Sequence, residues 1–154
     1  MNRAFLLACE PLSISSRIKE YIRLIRANIM SLTTGAYSQA IINVTNLRLR
    51  TFIGFNPDER EKQQDVVINI EIHYPADKSF QTDNVADALN YKVITKKVIQ
   101  HVEEGRFLLL EKLVADVVDI CSEHPSVTLA KVTIDKPHAL RFADSVSLSL
   151  EHRR

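Results

Sequence analysis

Apolar residues recur every second position in four stretches of the chain and every third or fourth position in two stretches between them. Ile42 and Val44 share one parity, whereas Leu47, Leu49, Thr51 and Ile53 share the other, which predicts a long first strand with a bulge near Thr45-Asn46. After a polar loop from Gly54 to Gln63, Val66, Ile68, Ile70, Ile72 and Tyr74 alternate with Asn69, Glu71 and His73, the pattern of a half-buried antiparallel strand that Pro75 stops. Asn90 is placed to cap a helix with the stripe Tyr91, Ile94, Val98 and Val102, ending at Gly105. A second helix carries Leu110, Leu113, Val114, Val117, Val118 and Cys121 and closes before Pro125. Two strands end the chain, Thr128 to Lys136 and Ser145 to Glu151, the latter with Val146, Leu148 and Leu150 facing in. The predicted class is α+β, a four-stranded antiparallel sheet with two helices on one face. Such a sheet keeps two open edges, and with few charges guarding them self-association is a physical expectation. Sites between subunits would follow.

The first forty residues break this regularity. Ala4 to Ala8 is too short for a signal-peptide core, and the apolar run before Cys9 in Leu6-Leu7-Ala8-Cys9 falls short of the ~7–15 residues a leader needs. Ile14 to Met30 can be drawn as a basic amphipathic helix with Ile18, Tyr21, Ile22, Ile25 and Ile29 on one side, a surface for a membrane or a partner. The plainer expectation is a non-core extension, with Met30 as the initiator and Ser31 to Ser38 as a linker. Residues 1–38 are thus expected to be extension and linker, and 39–154 the catalytic domain.

Composition narrows the function. With 45% hydrophobic and 25% charged residues in 154, the chain can build one real core. Residues 1–30 hold five bases against two acids, a surplus of +3, so the remainder carries −2 of the net +1. A near-neutral body without a basic stripe argues against nucleic acid as a ligand. No stretch reaches the ~20 apolar residues that span a bilayer, so no membrane partner is expected. Cys9 and Cys121 suggest neither a disulfide framework nor a metal site, and a reducing cytoplasm fits best.

Candidate chemistry centres on Lys136. Val132 and Ile134 share a face by period two, so Lys136 continues the apolar side of its strand, with Pro137 behind it. A lysine there either snorkels to the sheet rim, the commoner case, or is held partly desolvated, which lowers its pKa toward use as an acid/base. Glu59 and Gln64 flank the loop after the first strand, where composition alone favours a solvated turn. Tyr91 at its helix start serves as core or as a hydroxyl donor. Glu111 opens the second helix, where the helix dipole favours an acid without any ligand. On the border of the buried stripe, its two oxygens could equally grip a planar donor pair such as an aminopyrimidinone offers. With only three glycines, phosphate-cradling loops are missing, as are nucleophile elbows.

Four segments together resemble the dihydroneopterin aldolase and epimerase family of tunnel-fold enzymes. They are Leu47-Arg48-Leu49-Arg50-Thr51-Phe52-Ile53-Gly54, Ala88-Leu89-Asn90-Tyr91, Leu109-Leu110-Glu111-Lys112-Leu113 and Ile134-Asp135-Lys136-Pro137-His138-Ala139-Leu140-Arg141, within a resemblance that covers about Ile41 to Glu151. The resemblance implies a catalytic trio of Lys136, Tyr91 and Glu59, with Glu111 as the pterin anchor and Gln64 helping to hold a catalytic water. It implies no metal or cofactor, a small pterin substrate, and tetrameric barrels stacked into octamers whose sites are shared between neighbours. Thr51-Phe52-Ile53-Gly54 lacks the histidine of the Gly-Tyr-His-Gly usual in aldolases, and Pro137 to Ser145 is similar to the epimerases. The expected activity is therefore inversion at C2′ of 7,8-dihydroneopterin triphosphate, with Arg141, or Arg48 or Arg50, on the phosphates and His138 as a local hydrogen-bonding residue or proton carrier. The alternatives are the aldolase of folate biosynthesis, which releases glycolaldehyde, and a pterin-binding protein without turnover.

Overall fold

A computed structural model describes residues 18–25 and 39–154. The chain divides into two compact units, residues 1–37 and 38–154. In the first, residues 18–25 form a helix (α1) on which Ile18, Tyr21, Ile22 and Ile25 are exposed. The remainder of the anticipated helix from Ile14 to Met30, the Leu6–Cys9 stretch and the Ser31–Ser38 linker lie outside the described residues. No helix among the described residues is long and apolar enough to cross a membrane.

The second unit begins with β1 (Ala40–Ile53), followed by α2 (Pro57–Glu61), β2 (Gln64–Tyr74), α3 (Asp77–Thr82) and a 3₁₀ turn at Val85–Asp87. Then come α4 (Tyr91–Glu104), β3 (Arg106–Phe107), α5 (Leu110–Ser122), β4 (Leu129–Pro137) and β5 (Ser145–Arg153). The class is α+β, but the sheet has five strands rather than the four expected, in the order β3-β1-β2-β4-β5. The addition is β3, whose two residues run parallel to β1 by pairing Arg106 with Phe52 and Phe107 with Ile53. Two residues are too few to carry a period, which is why the pattern passed over them. The short helices α2 and α3 are further departures from the two-helix expectation.

The bulge falls where parity demanded it. The β1–β2 register shifts between Val44 and Leu47, and Asn46 takes the left-handed conformation at φ 55°, which asparagine tolerates better than most residues. Its amide donates to Asn69 Oδ1 at 2.9 Å, so the extra residue is satisfied rather than orphaned. After the bulge the face of Leu47, Leu49, Thr51 and Ile53 points toward the helices.

Burial of the helix stripes against the sheet forms the core. Val66, Ile68, Ile70 and Ile72 of β2 and Ala130, Val132 and Ile134 of β4 meet Ile94, Val98 and Val102 of α4 and Leu113, Val114, Val117, Val118 and Cys121 of α5. Asn90 accepts a hydrogen bond from the Val93 amide at 3.3 Å and so starts α4 as anticipated. On the outermost strand Leu148 packs against the core, while Leu150, expected to face in, is 40% exposed. Outside the Phe52–Ile53 contact, the outer side of β1 has no strand beside it among the described residues, and neither has the outer side of β5.

Candidate active site

The C-terminal ends of β1 and β4 lie at one end of the sheet, and the functional side chains gather there. Val67 of β2 is opposite Asp135 of β4 and Gln64 is opposite Thr51 of β1, so β2 carries Lys136 and Ile53 to neighbouring positions across the sheet. Lys136 points inward, as its parity required, and its side chain is only 12% exposed. Nζ donates to Glu59 Oε1 at 2.6 Å and to the Ile53 carbonyl at 3.1 Å. Rather than snorkelling to water, the ammonium is tethered by a carboxylate and a backbone oxygen.

Glu59 reaches this position because of α2. It is the third residue of that helix, and its Oε2 accepts from the backbone amide of Asn56 at 3.1 Å, so one oxygen caps the helix while the other holds Lys136. The Lys136 hydrogen bond holds the Glu59 carboxyl below its ordinary value of 4.5, aided by the Asn56 amide and opposed by partial desolvation. Because the folded-state pKa is depressed, the stabilisation from this contact is present above pH 4.5 and is lost as pH falls through the lower folded value. Throughout the neutral range Glu59 is an anion.

Gly54 makes room for that arrangement. Its φ of +129° is a conformation that side-chain-bearing residues rarely adopt, and a β-carbon there would run into the Glu59 carboxylate. The Gly54 amide donates to the Phe107 carbonyl at 2.9 Å, and the Thr51 hydroxyl donates to the Gly105 carbonyl at 3.3 Å, which fastens β3 against the end of β1. Gln64 Nε2 donates to the same Ile53 carbonyl that Lys136 uses. One backbone oxygen therefore organises Lys136 and Gln64 together.

Glu111 is the second residue of α5, which starts three residues after the Phe107 that pairs with Ile53. It is thus at the same end of the sheet, exposed and without an ion pair among the described residues. Arg141 sits in the loop that joins β4 to β5, also at this end and exposed. His138 in that loop adopts φ 60°, and its amide donates to the Asp144 carbonyl at 3.2 Å, which makes it a turn residue. Arg50 is engaged elsewhere, 3.3 Å from Asp65.

Tyr91 is not brought to this group within the chain. At 49% exposure it is not core, and it lines a cavity of about 640 Å³ with Ile42, Val44, Thr45 and Ile99, beside the start of β1. From Val44 to Ile53 the strand spans ~30 Å at about 3.3 Å per residue. Lys136, Glu59 and Gln64 thus form one group within the chain, Glu111 lies at the same end of the sheet, and Tyr91 is at the far end of β1. Among the described residues no group of three His, Cys, Asp or Glu side chains is placed to hold a metal ion.

Sequence reasoning missed three parts of this site. The Ile53 carbonyl is a backbone group and leaves no side-chain signature. Helix α2 was hidden in a polar run, although Asn56, Pro57 and Glu59 have the spacing of a capped helix start with proline at its first position. Arg106 and Phe52, whose guanidinium and ring stack at 3.8 Å, signalled nothing because β3 itself was invisible.

This end of the sheet holds an inward ammonium caged by a carboxylate, with an unpaired acid at the start of α5, groups whose chemistry is that of proton transfer and polar binding. The family described as dihydroneopterin aldolase (FolB) matches residues 42–151, and the chain belongs to that family. It is 58% identical over 119 residues to the dihydroneopterin triphosphate 2′-epimerase of Escherichia coli K12, covering 77% of this chain and 99% of that protein. The Pseudomonas aeruginosa protein of the same description is 50% identical, over 75% of this chain and 94% of its own. Among solved structures, E. coli dihydroneopterin aldolase in complex with neopterin superposes with a TM-score of 0.70 at 29% identity, covering 73% of this chain and 98% of that one.

Replacing Gly54 with alanine should push Glu59 off Lys136 and cost about 1–3 kcal/mol of stability from the strained φ. Chemical denaturation and turnover should both fall. A variant with the parent's stability and rate would mean that the Glu59 position does not matter.

Proposed function

We propose that this protein is the enzyme that inverts C2′ of 7,8-dihydroneopterin triphosphate, using acid/base chemistry without metal or cofactor. The Lys136–Glu59 pair carries this reading, because it places a proton carrier on a desolvated face and neutralises it with an acid that stays charged at neutral pH. The 58% identity to an epimerase over nearly that protein's whole length favours inversion over cleavage. The aldolase remains the second reading, since the neopterin-bound aldolase shares the fold.

A dihydropterin contains a C6=N5 imine, so the electron sink is in the substrate. Loss of the C2′ hydroxyl proton lets the C1′–C2′ bond break; its electron pair moves toward C6, and N5 gains a proton. The products are an enamine and an aldehyde that carries the triphosphate. If the aldehyde turns its other face and the steps reverse, C2′ is inverted. If it leaves, the result is aldol cleavage. In this scheme Lys136 gives and retakes the N5 proton, while Tyr91 and a water held by Glu59 and Gln64 serve the hydroxyl. Each positioned group of this kind typically supplies ~10²–10⁴-fold. Glu111 accepts the pterin's amino and ring N–H groups in bidentate fashion, and Arg141 meets phosphate from its exposed loop.

Tyr91 enters this scheme from a neighbouring subunit. The open outer sides of β1 and β5 suit strand pairing between copies, and the apolar groove beside Tyr91 runs along the open part of β1. We therefore infer a closed ring of subunits, a tetrameric barrel that stacks into an octamer, with each site shared. Residues 1–38 stand outside this catalytic domain. The buried free thiol of Cys121, whose pKa burial pushes up to about 12, suits a reducing cytoplasm.

Incubation with 7,8-dihydroneopterin triphosphate followed by chiral chromatography should reveal the C2′ epimer as the main product. A predominance of 6-hydroxymethyldihydropterin would establish the aldolase instead. Sharing of sites is tested by mixing two dead enzymes: Tyr91→Phe and Lys136→Ala, inactive alone, should regain turnover when dissociated and reassembled together. If the mixture stays inactive although hybrid assemblies form, Tyr91 and Lys136 serve one protomer's site or one of them does not act.

A further inference from the structure

Beside Glu59 a cavity of about 430 Å³ opens between α2 and β3, lined by Phe52, Phe107 and Leu108 on its apolar side and by Arg60, Glu61 and Arg106 on its polar side. We propose that Arg60 and Arg106 form the subsite that holds the substrate's triphosphate and makes the enzyme select the phosphorylated pterin. This inference rests on the pterin reading of the neighbouring acid/base group and adds to it the residues that grip the charged tail.

Connectivity of the substrate supports the placement. The triphosphate is attached at C3′, one carbon beyond the C2′ centre whose hydroxyl Glu59 serves, and Glu59 is itself a wall of this cavity. A chain leaving the reacting carbon away from the pterin therefore enters it directly. The two guanidinium groups are also free to receive an anion. Neither has a carboxylate within ion-pair distance among the described residues, unlike Arg50, which is tied to Asp65, and Arg153, which is tied to Glu151.

Arg106 is also held in advance. Its guanidinium lies 3.8 Å over the Phe52 ring, and Nη1 donates to the Arg60 carbonyl at 3.4 Å, so α2 and β3 carry the two cations as one unit. A planar fork fixed on an aromatic face retains unused N–H donors for phosphate oxygens and loses little freedom on binding. Glu61 opposes with one charge, while Glu59 is already neutralised by Lys136. The cavity thus keeps a net positive wall. Arg141, which makes no hydrogen bond or ion pair among the described residues, is left to the outermost phosphate.

The test compares kcat/KM for dihydroneopterin triphosphate with that for unphosphorylated dihydroneopterin in the parent, Arg60→Gln, Arg106→Gln and Arg106→Lys. In parallel, binding of inorganic tripolyphosphate to the same proteins is measured by calorimetry. Loss of one charge-assisted contact should lower the triphosphate preference about 10–100-fold in each glutamine variant. Arg106→Lys should recover part of it, and tripolyphosphate binding should weaken in step. A parent that prefers the triphosphate while both glutamine variants keep that preference within twofold overturns the subsite and leaves the epimerase reading standing. A parent that binds tripolyphosphate through these arginines but does not act on the pterin supports the anion subsite and overturns the epimerase reading. Since Arg106 also packs on Phe52, melting temperature and assembly are recorded for every variant, and Arg60→Gln, whose side chain makes no such contact, decides the case if Arg106→Gln fails to fold.

Discussion

A lysine ammonium held between the Glu59 carboxylate and the Ile53 carbonyl is the constraint on which the rest of the site depends. A half-buried cation is tolerable only if its donors are satisfied and its charge is matched. Both conditions draw in distant parts of the chain. Matching the charge requires α2 to turn Glu59 back toward the sheet, which requires a residue without a side chain at position 54. Satisfying the donors requires the Ile53 carbonyl, which side chains can reach because the β1–β2 ladder ends at the Thr51–Gln64 pair. The pair is then a stable feature of the fold that a substrate nitrogen can compete for.

The same geometry keeps Tyr91 away from the Lys136 group within one chain. Strand β1 reaches from the Lys136 group at one end to the Tyr91 groove at the other, and its length sets their separation within a chain. Within one chain the sheet keeps these two ends apart, and the proposed pairing of open strand edges between copies is what would bring a Tyr91 to a Lys136. On the proposed reading, assembly and catalysis both follow from one open sheet, with the polar Lys136–Glu59 group at one strand end and an aromatic hydroxyl presented at the other.

Much of this was legible in the residue pattern, for identifiable reasons. Strand parity turned Lys136 inward because period two is a strict geometric rule, and the switch of parity across Thr45-Asn46 located the bulge. Asn90 announced α4 through a side-chain cap, and α5 through six apolar residues on one stripe. Periodicity failed where elements were too short to have any, at β3 and α2, and with them went Arg60, Arg106 and the backbone oxygen of Ile53. Tyr91 shows a different limit. Its place on the helical stripe suggested core, yet the ring lines an open cavity beside β1 and remains exposed. Which chain Tyr91 serves is a question of assembly that spacing along one chain does not encode.

The central claim is that the Lys136 ammonium moves the proton that makes carbon–carbon cleavage reversible. Its most direct test is the rate of epimer formation by Lys136→Met, which keeps the length of the side chain and removes its proton, in a preparation shown by sedimentation to assemble like the parent. The account predicts a loss of at least ~100-fold with pterin binding retained. A rate within about threefold of the parent would contradict it, leaving Lys136 a structural partner of Glu59 and nothing more.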